Sequence, residues 1–186
     1  MASARAFATT HALAAASAGM KGRYMNYLDQ KVVVITGASS GLGAAAARAL
    51  AAHNVRIVAA AIDGPALDAF VAELRASGVE AVGKVTDVTS LDETRALAQF
   101  AKDTYGAIDI LINNAGLMLF SNWTDIAVND WNKMIDVNIK GYLNMIAAVL
   151  PHMLEQKSGH VLNMASVAGH QVGDSAGVYS ASKFFV

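Results

Sequence analysis

The sequence predicts one domain built on a doubly wound, parallel α/β sheet. Apolar, partly β-branched runs alternate with segments of helical periodicity along most of the 186-residue chain. Between residues 31 and 50, a strand-like run, a glycine-rich turn and a tract of helix formers follow one another directly. Strands that alternate with helices form parallel sheets covered on both faces, and such sheets bind ligands at the carboxyl ends of their strands. We therefore expect a three-layer αβα domain with its site at that edge.

The first strand, turn and helix carry a ligand signal. The β-branched run 32–35 is stopped by Gly37, which can take a backbone conformation that a side chain would forbid. Gly41 allows close approach of a ligand, and Gly43 lets the helix press on the strand. The free N–H groups that open the helix suit a phosphate. For this glycine pattern alone, a connection without a ligand is about as good an interpretation.

Further elements follow in alternation. Strands are predicted at 55–61, 80–85, 108–112 and 161–164. One helix follows from the spacing of Leu67, Phe70, Val71 and Leu74, with Pro65 in its first turn. Ser90 and Glu93 have capping-box spacing for a second helix that runs to about Thr104.

A later helix is predicted from one apolar stripe that contains Trp131, Met134, Ile135, Ile139, Tyr142, Met145 and Ile146. Asn138 lies in the middle of this stripe. A buried amide needs hydrogen-bond partners. Asn138 is therefore either a core residue satisfied by neighbouring backbone or a residue that holds water near a site.

Two side chains near the end of the chain suggest proton transfer. Tyr179 and Lys183 are four residues apart, so in a helix the phenol and the ammonium share one face. An adjacent cation favours phenolate, and such a tyrosine can exchange a proton with an alcohol oxygen. Ser166, after the fifth strand, could hold the same oxygen by a hydrogen bond. By itself, a tyrosine and a lysine at this spacing are common on helix surfaces.

Composition excludes several classes of function. The net charge is −1 and no basic cluster occurs, so nucleic-acid binding lacks its electrostatic driving force. The absence of cysteine excludes disulfides, thiolate metal sites and a cysteine nucleophile, and we expect no metal. The mean hydropathy is +0.36, but charges or histidines interrupt the apolar runs before membrane-spanning length. We expect a soluble, cytoplasmic protein without membrane contact.

The N-terminus differs from the rest of the chain. We predict an extension over residues 1–27 and the domain over residues 28–186. The extension is rich in Ala, Ser and Thr, contains Arg5, Lys21 and Arg23, and resembles an organelle transit peptide more than a secretory signal. The interpretation that we favour is an extension without a targeting role, poorly ordered, with Met20 or Met25 as the true start.

Taken in order, the motifs are the turn from Thr36 to Gly43, Asp87-Val88, Asn113-Asn114-Ala115-Gly116, Asn138, Ser166, and Tyr179 with Lys183. This series resembles that of the short-chain dehydrogenases/reductases, whose Rossmann-like fold the chain would share from Leu28 onward. The turn is similar to their TGxxxGxG pattern. More weakly, residues 113–186 resemble the branch that oxidises 3-hydroxy acids and related small alcohols.

The resemblance implies reversible hydride transfer between NAD(P)(H) and a secondary alcohol or ketone. It implies that Tyr179 is the catalytic acid/base, that Ser166 orients the substrate oxygen, that Lys183 binds the nicotinamide ribose and makes the phenol more acidic, and that Asn138 anchors a relay water. The implied cofactor-binding residues are Gly37, Ser39, Ser40, Gly41, Leu42, Gly43, Asp63, Asp87, Val88, Asn114, Ala115, Gly116, Tyr179 and Lys183. A homo-oligomer is also implied.

The choice between NAD and NADP depends on the end of the second strand. Relatives that use NAD often carry an aspartate there, which bonds the ribose 2′-hydroxyl, and relatives that use NADP an arginine. Ala61 occupies the usual acidic position, and Asp63 is offset from it by two residues. Asp63 favours NAD weakly, and NADP stays open.

Family members continue beyond the point that matches Val186, through further strands and a substrate-covering segment. We therefore expect a sheet that lacks the family's last strands, with the fifth strand at an unpaired edge. We also expect aggregation, oligomerisation or partial disorder around residues 170–186. The alternative to an enzyme is an inactive nucleotide-binding or partner-binding remnant. The substrate cannot be identified from this sequence.

Overall fold

Five parallel strands form one sheet in the order β3-β2-β1-β4-β5. The computed structural model describes residues 27–186, so the predicted N-terminal extension lies, except for Tyr27, outside the described residues. The strands are β1 Val32–Thr36, β2 Arg56–Ala61, β3 Glu80–Val85, β4 Ile110–Asn113 and β5 His160–Asn163. All neighbouring strands pair in parallel, which confirms the predicted sheet.

The helices are α1 Gly41–Ala51, α2 Gly64–Ala76, α3 Leu91–Tyr105, α4 Val128–Ile135, α5 Gly141–Gln156 and α6 Gly177–Phe185. Pro65 lies in the first turn of α2, as predicted. Pro151 does not end its helix, because α5 continues to Gln156 and stops at Lys157, whose φ is 54°.

The two faces of the sheet are covered by different helices. Val33 and Ile35 of β1 pack in one core cluster with residues of α1 and α2. Val32 and Val34 point to the other face and pack with residues of α3 and α5. This alternation follows from the period of two in a strand, and it explains why every residue of β1 is buried.

The predicted helix through the stripe that includes Trp131 and Ile146 forms, but it is not a regular α-helix throughout. A π-helical segment, Asp136–Lys140, lies between α4 and α5. The N–H of Gly141 donates to the Asp136 carbonyl, so this turn contains an extra residue. The extra residue shifts the phase of the stripe, and Ile135 is 36% exposed while Tyr142 is 2% exposed. Asn138, in the π segment, is fully buried.

The strand order reverses between β1 and β4. From β1 the chain proceeds to β2 and β3 on one side, whereas β4 is followed by β5 on the other. Such a switch point leaves a crevice at the carboxyl ends of the two strands. The fifth strand forms an edge of this sheet, and all four of its residues are exposed, in agreement with the prediction of an unpaired edge.

Candidate active site

The glycine turn lies at the carboxyl end of β1, beside the crevice. Gly37 and Gly41 have φ values of +62° and +53°, a region that favours glycine. No neighbouring atom approaches the side-chain position of Gly41, so the backbone there is open. A Cβ atom at Gly43 would overlap the Gly37 carbonyl oxygen and lie 2.7 Å from Asn114 Nδ2. The expected backbone freedom of Gly37 and close helix packing at Gly43 are confirmed.

Thr36 and Asn114 tie the ends of β1 and β4 together. Thr36 Oγ1 accepts hydrogen bonds from the backbone N–H groups of Asn114 and Ala115, both at 3.0 Å. Asn114 Nδ2 donates to the carbonyls of Thr36 at 2.9 Å and Gly37 at 3.3 Å. Thr36 is fully buried. The sequence places Thr36 in the turn motif without marking it as a site residue, although a hydroxyl at the end of a buried strand is a usable signal.

A cleft of about 550 Å³ extends from the glycine turn over the ends of β2 and β3. Its lining includes Gly37, Ser39, Ser40, Asp63, Asp87, Val88, Ala115 and Gly116. All eight of these residues are predicted cofactor-binding residues. Six of them come from residues 37–88, and Ala115 and Gly116 follow β4. The lining also contains Lys133 and Asp136, which the sequence did not single out.

Asp63 and Asp87 both have local structural contacts. Asp63 is the N-cap of α2, and its Oδ1 accepts from the N–H of Ala66 at 3.0 Å. Asp87 Oδ1 accepts from Thr89 N at 2.9 Å and Thr89 Oγ1 at 2.8 Å. Each carboxylate therefore shapes the cleft wall and keeps oxygen lone pairs for another donor.

Only one of the two hydrogen bonds of the predicted capping box before α3 forms. Ser90 Oγ accepts from the N–H of Glu93 at 3.3 Å, as expected. The Glu93 carboxylate, however, accepts from the N–H of Asp87 at 2.8 Å. It thereby fixes the loop that carries Asp87 and Val88 along the cleft.

A second cleft, of about 340 Å³, lies on the other side of the turn. It contains Tyr179 and Lys183 together with Gly41, Leu42, Asn114, Met164 and Ala165. Gly37, Ser40, Ala115, Gly116 and Leu117 line both clefts. The two clefts therefore adjoin at the glycine turn, and together they are called the groove.

Tyr179 and Lys183 lie on α6, as their spacing predicted. Lys183 is 6% exposed, and its ammonium lies 5.8 Å from the centre of the Tyr179 ring. Lys183 Nζ donates to the Met164 carbonyl at 2.8 Å. Burial lowers the pKa of Lys183. Among the described residues no carboxylate pairs with this ammonium, so a carbonyl and aromatic faces compensate its charge.

Ser166 comes directly after Ala165, which lines the second cleft, but Ser166 itself does not line that cleft. It caps the short 3₁₀ turn Val167–Gly169, where its Oγ accepts from the N–H of Ala168 at 3.1 Å. Its hydroxyl hydrogen remains available for another acceptor. This turn packs against α6, the helix of Tyr179.

Asn138 is satisfied mainly by neighbouring backbone. Its Oδ1 accepts from Leu117 N at 2.9 Å, and its Nδ2 donates to Leu117 O at 2.8 Å and to Ser182 Oγ at 3.1 Å. Both amide hydrogens and one lone pair are thus engaged. The side chain holds the loop after β4 against the residue next to Lys183.

Tyr142 is a neighbour of the site that sequence reasoning missed. The sequence indicates only that it belongs to the apolar stripe, but its hydroxyl donates to the Met164 carbonyl at 3.0 Å and lies 3.5 Å from Lys183 Nζ. Burial, and then the neighbouring Tyr179, raise the pKa of Tyr142 to about 12. Its position four residues after Asn138 was the available signal.

A groove at the switch point of a doubly wound sheet, centred on a glycine turn, defines a Rossmann-like domain. Within that class, the chain belongs to the short-chain dehydrogenase family, whose model matches residues 31–186. The comparison confirms the family resemblance.

Relatives include an uncharacterized oxidoreductase of Staphylococcus saprophyticus, 47% identical over 87% of this chain and 65% of its own length. A short-chain dehydrogenase/reductase from Burkholderia phymatum, solved with NAD, has a TM-score of 0.83 and 39% identity over 85% of this chain and 57% of its own. An actinorhodin polyketide ketoreductase, solved with NADPH, has a TM-score of 0.81 and 35% identity over 84% of this chain and 60% of its own. The chain thus spans less than two thirds of the length of these three relatives.

Two further findings concern residues 27–186. No group of three or more histidine, aspartate or glutamate side chains in this part of the chain is arranged to hold a metal ion. None of its helices combines the length and apolar character that crossing a membrane requires.

Proposed function

We propose that this chain takes part in reversible hydride transfer between a nicotinamide dinucleotide and a secondary alcohol or ketone. The observation that carries the proposal is that the open glycine turn and the Tyr179–Lys183 pair line the same cleft, next to the larger one. One part can hold a long, phosphate-containing cofactor while the other holds the reacting oxygen.

The groove fits a dinucleotide by its chemistry. The backbone at Gly41 is open, and α1 begins at this residue, so its first N–H groups lack partners within the helix and suit a pyrophosphate. The cleft of about 550 Å³ that Asp63 and Val88 line has room for an adenosine. In this arrangement Asp87 and Val88 contact adenine, and Asn114 holds the turn against β4.

The chain's own residues supply orientation and proton transfer. Tyr179 gives its proton to the carbonyl oxygen in reduction and takes it back in oxidation. The Lys183 ammonium lies beside the ring and reaches the nicotinamide ribose, while Ser166 donates a hydrogen bond to the same substrate oxygen. Asn138, with one Oδ1 lone pair remaining, anchors a relay water. When bound, the nicotinamide supplies or accepts the hydride.

The substrate that we propose is a small hydroxy acid or its keto counterpart, from the similarity of residues 113–186 to that branch of the family. The competing function is an inactive nucleotide-binding or partner-binding remnant.

A titration with both cofactors, followed by a screen of ketones and hydroxy acids, tests the proposal. We expect turnover that Tyr179→Phe removes and Tyr105→Phe retains, because Tyr105 lies on α3, away from the groove lining. Nucleotide binding without any turnover would favour the remnant. Failure to bind either nicotinamide dinucleotide would contradict both functions.

For the cofactor, we propose NAD over NADP on the charge of Asp63, while the relatives solved with NAD and with NADPH support either. Asp63→Asn keeps an N-cap oxygen and removes the charge, so it separates cofactor recognition from the cap of α2. We expect it to weaken NAD binding about tenfold and to strengthen NADP binding. Tighter NADP binding by the unaltered chain, unchanged in Asp63→Asn, would refute the assignment.

We further propose a cytoplasmic homo-oligomer. Leu143, Leu150 and Leu154 on α5 and Phe184 and Phe185 on α6 are exposed, and exposed apolar side chains favour association. Light scattering should give a mass above that of one chain. A monodisperse monomer would contradict the assembly without affecting the site.

A further inference from the structure

We infer that Tyr142 is a positioning residue of this site, whose hydroxyl and ring hold the ammonium of Lys183 in place beside Tyr179. The inference rests on the proposed function, in which Tyr179 exchanges the proton. It adds a residue that lies outside the motif series and reaches the site from α5.

The main contact is a shared backbone acceptor. Both the Tyr142 hydroxyl, at 3.0 Å, and Lys183 Nζ, at 2.8 Å, donate to the carbonyl oxygen of Met164. Lys183 Nζ also lies 3.5 Å from the Tyr142 hydroxyl oxygen, which can accept its second hydrogen bond. The three groups form a small cluster at the end of β5, two residues before Ser166.

The aromatic ring contributes a second contact. The Lys183 ammonium lies 5.3 Å from the centre of the Tyr142 ring and 5.8 Å from that of Tyr179. Both distances are within the range of cation–π attraction. Because Lys183 is 6% exposed and has no carboxylate partner among the described residues, these contacts matter more than they would in water.

The two phenols near this ammonium differ in environment. Tyr142 is 2% exposed and donates to a carbonyl, and its pKa of about 12 keeps it neutral at every working pH. Tyr179 is half-buried and lines the open groove. Tyr142 can therefore hold the ammonium as a neutral phenol, while Tyr179 faces the groove.

Other charges near α6 lie on exposed or half-buried side chains. The elements packed against α6 are the 3₁₀ turn 167–169, α4 and the π segment. The turn has no ionisable side chain, α4 contributes Asp130 and Lys133, and the π segment contributes Asp136 and Lys140, which pair at 2.7 Å. Solvent screens such groups, so the buried Tyr142 cluster dominates around Lys183.

The test follows formation of the Tyr179 phenolate by near-ultraviolet absorbance as the pH rises. In each background, subtracting the Tyr179→Phe titration isolates the Tyr179 signal. Tyr142→Phe removes the hydroxyl and keeps the ring, and we expect its Tyr179 midpoint to rise by about half to one pH unit, the equivalent of one ordinary hydrogen bond. Tyr142→Met also removes the ring and should give a larger rise. Tyr105→Phe is the matched control and should leave the midpoint unchanged.

The melting temperature of each variant identifies a change that merely unfolds the domain, and Tyr142→Met supplies the measurement if Tyr142→Phe does not fold. An unchanged or lowered midpoint in a folded Tyr142 variant would overturn the inference. A raised midpoint without turnover in any variant would support it while contradicting the proposed function. Turnover by the unaltered chain together with an unchanged Tyr179 midpoint in the Tyr142 variants would support the proposed function and overturn the inference.

Discussion

Replacement of Asn138 by alanine tests how the π segment supports the groove. The side chain is fully buried and makes three hydrogen bonds, two to the backbone of Leu117 and one to Ser182 Oγ. Alanine removes all three and leaves the N–H and C=O of Leu117 without these partners. At about 1 kcal/mol for each lost hydrogen bond, we expect Asn138→Ala to lower the free energy of unfolding by about 3 kcal/mol.

Urea unfolding followed by tryptophan fluorescence measures this loss, and Trp131 on α4 is close to the π segment in sequence. With a slope of about 2 kcal/mol per molar urea, the midpoint should fall by about 1.5 M. Asn144→Ala is the matched control. Its Nδ2 donates to the carbonyls of Val88 and Thr89, but Asn144 is half-buried and water can replace it. We expect a loss of about 1 kcal/mol or less there.

Hydrogen exchange adds a local measurement. The N–H of Leu117 donates to Asn138 Oδ1, so its protection should fall in Asn138→Ala and persist in Asn144→Ala. Equal losses of stability in the two variants, or an unchanged Leu117 amide in Asn138→Ala, would refute the view that Asn138 organises the loop after β4.

Three other outcomes are expected. Gly43→Ala should lower the free energy of unfolding by about 1–3 kcal/mol and weaken nucleotide binding, because its Cβ would overlap the Gly37 carbonyl. Gly173→Ala is the control, and it should change urea unfolding little because the space around Gly173 is open. Lys183→Met should stabilise the fold at neutral pH while removing turnover. That gain should shrink as the pH rises through the lowered pKa of Lys183, because the native lysine is then neutral. Between pH 10 and about 12, the unaltered chain should lose about 2 kcal/mol more than Tyr142→Phe, because an unfolded tyrosine ionises near 10 and the folded Tyr142 at about 12. Urea unfolding at several pH values measures both effects, and parallel curves would contradict them.

Much of the fold was predictable because local patterns here agree with the tertiary structure. The run 32–35 is β-branched and becomes the fully buried β1, and the glycines that follow take the conformations that the turn requires. Tyr179 and Lys183 are brought together by helical spacing alone. Such features depend on a few neighbouring residues, so the sequence states them directly.

Contacts that depend on the relative placement of distant elements were not predictable. The π segment adds one residue to a turn, and Gly141, which closes that turn, does not distinguish it from a regular turn, so periodicity predicted a regular α-helix. Asp63 was assigned to cofactor choice, but its cap on α2 depends on where that helix begins. Tyr142 belongs to the predicted apolar stripe, and such a stripe does not indicate that the fold brings the tyrosine hydroxyl to Met164.

The site residues are connected mainly through the main chain. Asn114 holds the carbonyls of Thr36 and Gly37, Asn138 holds both backbone groups of Leu117, and Lys183 holds the carbonyl of Met164. Backbone atoms move only with the strand or loop that carries them. A substitution at one of these side chains should therefore displace a whole wall of the groove rather than a single partner. This explains why side chains from α6, the π segment and the loop after β4 can define one site with few direct contacts among them.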